Sequence, residues 1–384
     1  MSETLTLQSK LPNLGISIFS EMTALANQYK AINLSQGFPE FDAPDFLKQQ
    51  VTHYIDSGLN QYAPSPGLPA LQDALVTLID NKYAHQVTQE NITITSGATE
   101  ALFVAIQSLV KQGDEVIVFD PAYDSYEPAI RLAGGKAIHI QLNAPDYAIN
   151  WQHVAKQING NTKAIIINTP HNPSASTLCE DDIKSLQTLL REHPLYVISD
   201  EVYEHITFDD QPHLSLLRYP DIAQRAFVVS SFGKTFHCTG WKLGYCVAPN
   251  ALMTEFRKIH QYVTFSSFTP AQAAIADMLS QHSEHVDQLA NYYQKKRDLF
   301  ISALSNSRFS ILPSKGTYFL LLDYSDISDK NDLDFCHWLT KEIGVAAIPL
   351  SVFNQSKLDE KIIRLCFAKE ESTLLQAAER LCRL

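Results

Sequence analysis

The sequence predicts an α/β protein built on a mainly parallel sheet that is sandwiched by helices. Three observations predict this class: the chain length, the alternation of strand-like and helix-like segments, and the residues that follow each strand. With 384 residues, the chain is long enough for about two to three domains and a sizeable core. Between about residues 90 and 250, short β-branched runs alternate with longer helical patterns, which is typical of a sheet covered by helices.

Five short apolar runs in this region are predicted to be strands, and polar, Gly or Pro residues follow each of them directly. The runs are Asn91 to Thr95, Glu115 to Phe119, Lys163 to Ile167, Leu195 to Ser199 and Ala226 to Ser230. In open α/β sheets, ligands bind beyond the carboxyl ends of the strands. The side chains that follow these runs are therefore expected to surround one site.

The C-terminal part has a different pattern, which predicts a smaller α+β domain. Its segments are a helix around Tyr293 to Leu304, a strand-like run from Thr317 to Leu322, a helix near Leu333 to Ile343, and a strand-like run from Lys361 to Phe367. We therefore predict three parts of the chain. They are an N-terminal segment that joins the small domain, a large ligand-binding domain and a small C-terminal domain, at residues 1–40, 41–280 and 281–384.

Composition disfavours several classes of protein. The chain has 30 Lys and Arg against 42 Asp and Glu, a formal charge of −12 without a basic stripe, which disfavours nucleic-acid binding. Its 6 cysteines include no C-x-x-C pair and no ligand-spaced histidines, which argues against a zinc site or a disulfide framework. No secretory leader or membrane-span pattern is visible, so a soluble, cytoplasmic protein is expected.

The segment Ser230 to Phe236 contains the most informative side chain of the sequence. It places Lys234 just after the last of the five predicted strands, among small and hydroxylated residues. A lysine is ordinarily a solvated surface charge, but a desolvated lysine near other cations loses its proton readily and can form a Schiff base. Lys234 is therefore predicted to be a covalent catalyst.

The run Ser96 to Ala101 lies where a predicted strand gives way to a helix, and it is a candidate phosphate site. Unpaired N–H groups and the positive end of the helix dipole attract phosphate, and Gly97 allows an anion to approach the backbone. Ser231 and Lys242 would complete the site. The alternatives are an ordinary N-cap for the run and a solvated surface position for Lys242.

Three residues that follow predicted strands suit the ring of pyridoxal phosphate (PLP). Asp200 would keep the pyridine nitrogen protonated, so that the ring withdraws electrons from a substrate carbanion. Tyr203 and Asn172 would hydrogen-bond the phenolic oxygen of the ring. The alternatives are a helix cap or structural ion pair for Asp200, core packing for Tyr203 and a turn for Asn172.

Tyr123 and Arg364 are the remaining candidates. Tyr123, in Asp120-Pro121-Ala122-Tyr123-Asp124, could stack on a flat ring or fill the core behind a loop. Arg364 lies in an apolar strand, where an unpartnered charge would be costly. The α-carboxylate of an amino acid would relieve that cost through a bidentate pair, and a buried salt bridge to a protein acid is the alternative.

These residues lie in motifs that resemble class I aminotransferases of the fold-type-I PLP enzymes, over nearly the whole chain. The motifs are Asn33-Leu34-Ser35-Gln36-Gly37-Phe38-Pro39, Thr169-Pro170-His171-Asn172-Pro173-Ser174, Ser231-Phe232-Gly233-Lys234-Thr235-Phe236, Gly240-Trp241-Lys242-Leu243-Gly244-Tyr245 and Arg364-Leu365-Cys366-Phe367. The first two are most similar to the kynurenine/glutamine aminotransferase branch and to bacterial methionine aminotransferases. One departure is Ala175, where the family usually has Gly.

The resemblance implies a PLP-dependent transferase fold of type I, with a seven-stranded, mainly parallel sheet in the large, PLP-binding domain. It implies that Lys234 forms the Schiff base, that Asp200 faces the pyridine nitrogen, and that Tyr203 is a catalytic partner of the ring oxygen together with Asn172. The remaining cofactor contacts would come from Gly97, Ala98, Thr99, Tyr123, Ser231 and Lys242.

The resemblance also indicates the substrate pocket and the partner. Asn172 and Arg364 would bind the substrate, and the pocket would be lined by Ile18, Phe19, Gly37, Phe38 and Tyr62. Tyr62 resembles the tyrosine that reaches the phosphate of the neighbouring subunit, which implies a homodimer with active sites at the subunit interface. No convincing second arginine is visible, so methionine is favoured over aspartate, with aromatic amino acids, glutamine or kynurenine as further candidates.

The predicted reaction is transamination between an amino acid and a 2-oxo acid in a ping-pong scheme, in which Lys234 moves the Cα proton. A β-lyase that acts on cysteine conjugates or cystathionine is the nearest alternative, because it would share every cofactor contact. A PLP-sensing transcription regulator would need a DNA-binding module, for which the first 30 residues are too few and not basic. A non-catalytic α/β protein would require the whole constellation to be coincidental.

Overall fold

The computed structural model describes residues 7–12 and 15–384. In chain order, the strands are β1 (Ile32–Asn33), β2 (Ile92–Thr95), β3 (Glu115–Asp120), β4 (Lys136–Gln141), β5 (Thr162–Asn168), β6 (Tyr196–Asp200), β7 (Ala226–Ser231), β8 (Gly244–Val247), β9 (Ser310–Ile311), β10 (Phe319–Asp323), β11 (Val345–Ala346), β12 (Ile348–Pro349) and β13 (Ile362–Cys366).

The helices surround these strands. In chain order, they are α1 (Ile18–Tyr29), α2 (Asp45–Asp56), α3 (Pro69–Tyr83), α4 (Ala98–Leu109), α5 (Tyr126–Leu132), α6 (Trp151–Gln157), α7 (Glu180–Glu192), α8 (Pro220–Ala223), α9 (Phe232–Thr235), α10 (Asn250–Val263), α11 (Thr269–Gln281), α12 (Glu284–Ala303), α13 (Asp332–Trp338) and α14 (Glu371–Leu381). Among the described residues, no helix is long and apolar enough to cross a membrane.

The central sheet has seven strands in the order β2-β8-β7-β6-β5-β3-β4. The pairings among β4, β3, β5, β6 and β7 are parallel, whereas β8 runs antiparallel to both of its neighbours. The predicted fold class is therefore confirmed. Each of the five predicted strands is present, with ends within one residue of the prediction.

Helices cover both faces of this sheet, and the alternation of side chains along β3 shows how. Val116 and Val118 pack into a cluster with α4, α5 and α10, while Ile117 and Phe119 belong to the larger core on the other face. Both sets are nearly fully buried. This burial on two faces explains why the strands read as continuous apolar runs instead of alternating patterns.

The C-terminal part forms a second, antiparallel sheet in the order β12-β13-β10-β9. A short parallel pair joins the N-terminal segment to this part, with Ile32 opposite Val345 and Asn33 opposite Ala346. The predicted helix at 333–343 is divided into α13 and a π-helical turn at Leu339–Ile343, which ends at Gly344 with φ of 77°. The domain boundaries at residues 40 and 280 stay a prediction.

Two buried glutamates hold the turn that follows β6. Glu201 accepts hydrogen bonds from Ser199 Oγ at 2.8 Å and from the Leu216 N–H at 3.0 Å, and its other oxygen pairs with His213 Nε2 at 2.8 Å. Glu204 accepts from the Tyr245 hydroxyl at 2.7 Å and also from Tyr83 and Ser230. Because all of these carboxylate oxygens are paired, the turn that carries Asp200 and Tyr203 is fixed at both ends.

Candidate active site

A cavity of about 250 Å³ lies at the carboxyl ends of the central strands. It brings together thirteen residues that the sequence predicted: Phe19, Gly37, Gly97, Ala98, Thr99, Tyr123, Asn172, Asp200, Tyr203, Ser231, Lys234, Lys242 and Arg364. Three elements carry charged side chains that line it: β6 ends at Asp200, α9 carries Lys234 and β13 carries Arg364. We call this cavity the cleft.

Lys234 is held at the base of the cleft. Its Nζ donates a hydrogen bond to the Gly37 carbonyl at 3.2 Å and lies 5.7 Å from the ring centroids of Tyr203 and Tyr318. Burial lowers the pKa of the Lys234 amine to about 8, and the positive charges of Arg364 and Lys242 act in the same direction. A share of this amine is therefore uncharged near neutral pH, as a nucleophile or a general base requires.

Asp200 lies at the end of β6 and is 3% exposed. Its Oδ2 accepts a hydrogen bond from the Tyr126 hydroxyl at 2.6 Å, and its Oδ1 accepts from the Val202 N–H at 3.4 Å. Burial raises the pKa of this carboxyl to about 6, although the Tyr126 hydroxyl and the Val202 N–H favour the ionised form. A positive group beside Asp200 would complete its ionisation.

The N-terminus of α4 forms a cradle with Lys242. Gly97 is the N-cap residue and has a φ of 80°, a conformation that favours glycine. A Cβ at Gly97 would lie 3.4 Å from both Cε and Nζ of Lys242. The cradle therefore combines free helix N–H groups with an ammonium group, which suits a phosphate.

Arg364 is 1% exposed, and its hydrogen-bond partners among the described residues include no carboxylate. Its Nη1 donates to Asn172 Oδ1 at 2.6 Å, its Nη2 donates to the Ser35 carbonyl at 3.3 Å, and its Nε has no hydrogen-bond partner among the described residues. The guanidinium carbon lies 3.9 Å from the Phe319 ring centroid. A buried cation with an unsatisfied donor fits a carboxylate ligand.

Asn172 is oriented by Asn168, whose role the sequence did not indicate. The Asn172 N–H donates to Asn168 Oδ1 at 2.8 Å, and Asn168 Nδ2 donates to the Asp200 carbonyl at 2.8 Å. Ala175 in the same loop has a φ of 59°, which explains why the family usually has glycine there.

Tyr126 is the second residue that sequence reasoning missed. It is buried, and its hydroxyl donates a hydrogen bond to Asp200 Oδ2. Its ring lies edge-on to the Tyr123 ring, with the two ring centroids 5.7 Å apart. No local pattern marks its role, because Tyr123 lies before the start of α5 and the bond to Asp200 joins residues that are 74 positions apart in the chain.

Three predicted pocket residues do not line the cleft of their own chain. Tyr62 is 83% exposed and lies in a separate surface hollow with Phe268. Phe38 is 45% exposed, with Lys369 Nζ over its ring, and Ile18 packs against the main core. The prediction that Tyr62 acts on a neighbouring subunit is consistent with this exposure and stays a prediction.

The sequence matches the family described as aminotransferase class I and II over residues 29–381. The chain belongs to the class I and II aminotransferases. This aminotransferase is 54% identical over 378 residues to the methionine aminotransferase of Escherichia coli K12, with 98% of each chain covered. It is 33% identical over 424 residues to a kynurenine–oxoglutarate transaminase of Dictyostelium discoideum, covering 100% of this chain and 98% of the other.

Solved structures agree with this assignment. The crystal structure of Escherichia coli YbdL, described as having a methionine aminotransferase function, superimposes with a TM-score of 0.98 at 53% identity. The alignment covers 99% of this chain and 100% of that chain. The resemblance to the kynurenine and methionine aminotransferases is thereby confirmed.

Class I aminotransferases use PLP, and the residues of the cleft fit this cofactor. The cradle at Gly97 offers free helix N–H groups and the Lys242 ammonium to a phosphate, no cation of the described residues hydrogen-bonds the buried Asp200, and the pKa of Lys234 is lowered. The residues that carry these features line the same cavity as Arg364. The described residues contain no group of three or more His, Cys, Asp and Glu side chains that could hold a metal ion.

Proposed function

We propose that this enzyme transfers the amino group of an amino acid with an apolar or thioether side chain to a 2-oxo acid, and that methionine is its favoured donor. The observation that carries this proposal is the single guanidinium in an otherwise aromatic end of the cleft. Arg364 lies 5.3 Å from the Phe19 ring centroid, 5.4 Å from that of Phe353 and 3.9 Å from that of Phe319. Such a site binds one α-carboxylate and apolar atoms beside it.

The name of the relative at 54% identity supports the same donor. No second arginine lines the cleft among the described residues, so a distal carboxylate would lack a bidentate partner. Aromatic amino acids, glutamine and kynurenine remain secondary donors in this proposal, because an apolar pocket discriminates only modestly between such side chains.

The residues that would hold PLP are those that the resemblance to the family indicates. Gly97, Ala98, Thr99, Ser231 and Lys242 would bind its phosphate, Asp200 its ring nitrogen, Tyr203 and Asn172 its ring oxygen, and Tyr123 one face of the ring. When bound, PLP supplies an aldehyde that condenses with amines and a ring that withdraws electrons from the substrate Cα. Every one of these residues lines the cleft.

The side chains of the protein then perform the remaining tasks. Arg364 and Asn172 bind the α-carboxylate and fix the orientation of the Cα–H bond. Lys234 Nζ accepts the Cα proton, for which its pKa of about 8 is suited at neutral pH. Tyr318 donates to the same Gly37 carbonyl at 2.7 Å, so this carbonyl holds the amine beside the reacting atoms. A 2-oxo acid uses the same carboxylate site in the second half of the ping-pong reaction.

The proposal includes a homodimer in the cytoplasm, with Tyr62 contributing to the phosphate site of the partner subunit. Its support is a cluster of exposed aromatic rings around the surface hollow that contains Tyr62. Tyr62 and Tyr262 are each 83% exposed, Phe268 is 50% exposed, and Phe265 is 44% exposed with its ring edge-on to Tyr62 at 5.4 Å. A cluster of this kind is typical of a surface that a second protein chain covers.

The test is a steady-state assay of the purified enzyme with PLP, a panel of amino acids and a 2-oxo acid. Methionine is expected to give the largest kcat/KM, and Lys234→Ala is expected to abolish turnover. Arg364→Leu is expected to lower kcat/KM for methionine by about 100-fold, the cost of a charge-assisted hydrogen bond, while Lys361→Met, just before the same strand, leaves it unchanged. Release of pyruvate and ammonia from cystathionine at a rate above methionine turnover would show a β-lyase instead.

A further inference from the structure

A short segment of the C-terminal part, Ser351 to Gln355, lies against the carboxyl ends of β3 and β4 in the central sheet. The Ala122 N–H donates to the Phe353 carbonyl at 2.8 Å, and the Gln355 N–H donates to Asp120 Oδ2 at 2.7 Å. Gln141 Nε2 donates to Asn354 Oδ1 at 2.8 Å. We call residues 351–355 the bridging segment, because these bonds join the two sheets of the molecule.

Two buried carboxylates hold the bridging segment at its two ends. Asp120 and Asp332 are each 2% exposed. Asp332 accepts from the Ser351 N–H at 2.6 Å and from its hydroxyl at 2.7 Å. Asp120 lies at the other end, where its Oδ1 pairs with His139 Nδ1 at 2.7 Å while its Oδ2 accepts from Gln355. Buried carboxylates with all oxygens paired fix backbone geometry strongly, since breaking them leaves unsatisfied groups.

Phe353, in the middle of the bridging segment, reaches the substrate end of the cleft. It is 4% exposed, and its ring centroid lies 5.4 Å from the Arg364 guanidinium carbon and 5.9 Å from the Phe19 ring. On the other side, the loop that follows Asp120 carries Tyr123, which lines the cofactor end. Asp120 therefore links two segments: the bridging segment, whose Phe353 packs against Arg364, and the loop that carries Tyr123.

We propose that Asp120 is a positioning residue that sets the substrate-carboxylate site by holding the bridging segment, and with it Phe353, against Arg364. Asp120 does not line the cleft and touches no reacting atom. The proposal rests on the proposed function, in which Arg364 binds the α-carboxylate. Loss of the bonds from Asp120 frees Phe353 to move and loosens the arginine that it packs against. Carboxylate binding weakens in the ground state and the transition state alike, so KM rises while kcat changes little.

The test compares steady-state kinetics with methionine for the PLP-loaded wild type and four variants. Asp120→Ala removes both acceptors and is expected to raise KM about 10-fold with kcat within about threefold of wild type. Asp120→Asn keeps one acceptor for the Gln355 N–H, so its KM is expected to return to within about threefold of wild type. Gln141→Leu breaks the separate bond to Asn354 and is expected to raise KM about threefold.

Glu127→Gln is the matched control. It makes the same carboxylate-to-amide change as Asp120→Asn. Glu127 also lies near His139, with its Oε2 3.8 Å from His139 Nε2, but it has no bond to the bridging segment, so KM is expected to stay unchanged. The visible absorbance of the PLP-loaded enzyme should be the same in all variants, because Lys234 and Asp200 are untouched. An unchanged KM in Asp120→Ala, or a fall in kcat that Asp120→Asn does not restore, overturns the proposal.

If Asp120→Ala does not fold, Gln141→Leu decides, and an unchanged KM there overturns the proposal. A wild type that transaminates no amino acid refutes the proposed function instead. A wild type that prefers another amino acid refutes the donor assignment alone, and the comparison is then made with that amino acid.

Discussion

Burial favours the neutral forms of both Lys234 and Asp200, so it lowers one pKa and raises the other. The pKa of the amine falls to about 8, and the pKa of the carboxyl rises to about 6. Neither residue has an oppositely charged hydrogen-bond partner among the described residues, since Lys234 bonds a carbonyl and Asp200 a hydroxyl and an N–H. The lowered pKa of Lys234 matches the need of PLP for a free amine, and a protonated ring nitrogen beside Asp200 would supply the positive charge that restores the ionised carboxylate.

The first prediction concerns the rate at which apoenzyme binds PLP covalently. Only the uncharged amine attacks an aldehyde, so the rate constant is expected to rise with pH through about 8, well below the usual range of a lysine. Stopped-flow absorbance of apoenzyme mixed with PLP over a pH series measures this profile. A midpoint near 10 would contradict the environment that we describe for Lys234, and Lys234→Ala, which lacks the amine, provides the blank.

The second prediction concerns the stability of the apoenzyme. The pKa of Asp200 is about 6 in the folded protein and 3.8 in a model compound, so the folded state holds the extra proton between these values. Stability is therefore lost as pH rises from 3.8 to 6, and the full cost is present at neutral pH. Asp200→Asn should stabilise the apoenzyme at pH 7 by about 3 kcal/mol and have little effect at pH 4, as measured by urea unfolding.

A matched comparison for this variant is Asp332→Asn. Asp332 is also buried, but both of the hydrogen bonds that it accepts from Ser351 are short, at 2.6 and 2.7 Å, whereas one of the two that Asp200 accepts is 3.4 Å long, so the amide variant of Asp332 loses the stronger hydrogen bond. Destabilisation of Asp332→Asn together with stabilisation of Asp200→Asn is the expected pattern. Destabilisation of Asp200→Asn apoenzyme at pH 7 would be the opposite of the prediction.

The same Asp200→Asn variant should lose most transaminase activity, because the side chain that faces the ring nitrogen of PLP is then no longer anionic.

At the scale of elements, the N-terminus of α4 is the part of the fold that is predicted to bind the phosphate of the cofactor. Gly97 has a φ of 80°, and the space that its missing Cβ leaves faces Lys242. Gly97→Ala is expected to weaken PLP binding about 10-fold or more, because the methyl group crowds the phosphate cradle and strains the backbone. A fluorescence titration of apoenzyme with PLP measures the dissociation constant.

Gly113→Ala is the control for backbone strain. Gly113 has a φ of 88°, and a Cβ there would meet nothing within 4 Å. Both variants should therefore lose a similar amount of folding free energy, about 1 kcal/mol, while only Gly97→Ala loses PLP affinity. Equal PLP affinity for the two variants would refute the cradle.

Particular elements show how far the sequence could predict this fold. The strands β3, β5, β6 and β7 are buried on both faces and read clearly as apolar runs. The edge strand β4, Lys-Ala-Ile-His-Ile-Gln, was missed because most of its side chains are only partly buried and polar ones interrupt it. The strand β8 has four residues and begins at Gly244, which hides it among turn residues.

The candidate site likewise contains residues that the sequence predicted and residues whose roles it did not predict. Lys234, Asp200 and Arg364 were predictable because each stands at the end of, or within, an apolar run where a charge is conspicuous. Asn168 was expected near the site because it follows a predicted strand, but its bond to Asp200 was not predicted, and neither were the roles of Tyr126 and Asp120, since these bonds reach partners 32, 74 and 235 residues away in the chain. Such long-range bonds leave no local signal in the sequence.

At the scale of the whole molecule, the exposed rings around Tyr62 predict that two chains form one functional unit. Sedimentation equilibrium is expected to give a mass of 2 × 43.0 kDa, about 86 kDa. Tyr62→Ala is expected to weaken PLP binding about 10-fold, whereas Tyr29→Ala, which removes a tyrosine 44% exposed outside this cluster, is not. A monomer with full PLP affinity and activity would contradict the proposed interface.

Mixed dimers distinguish whether Tyr62 acts in its own subunit or across the interface. In a dimer of one Lys234→Ala chain and one Tyr62→Ala chain, action across the interface leaves one complete site. Co-expression with two affinity tags isolates this species. It is then expected to bind PLP at one site per dimer with wild-type affinity. Weak binding at every site would place the action of Tyr62 within its own subunit.

The central claim is that Lys234 carries the cofactor, and the most direct measurement is peptide mass spectrometry of the borohydride-reduced, PLP-loaded enzyme. Reduction fixes the imine, and the phosphopyridoxyl group is predicted on the peptide that contains Lys234 and on no other lysine. The same peptide should be unlabelled when methionine is added before reduction, because the substrate amine displaces Lys234. A label on Lys242 or Lys369, or no label at all, would contradict the account.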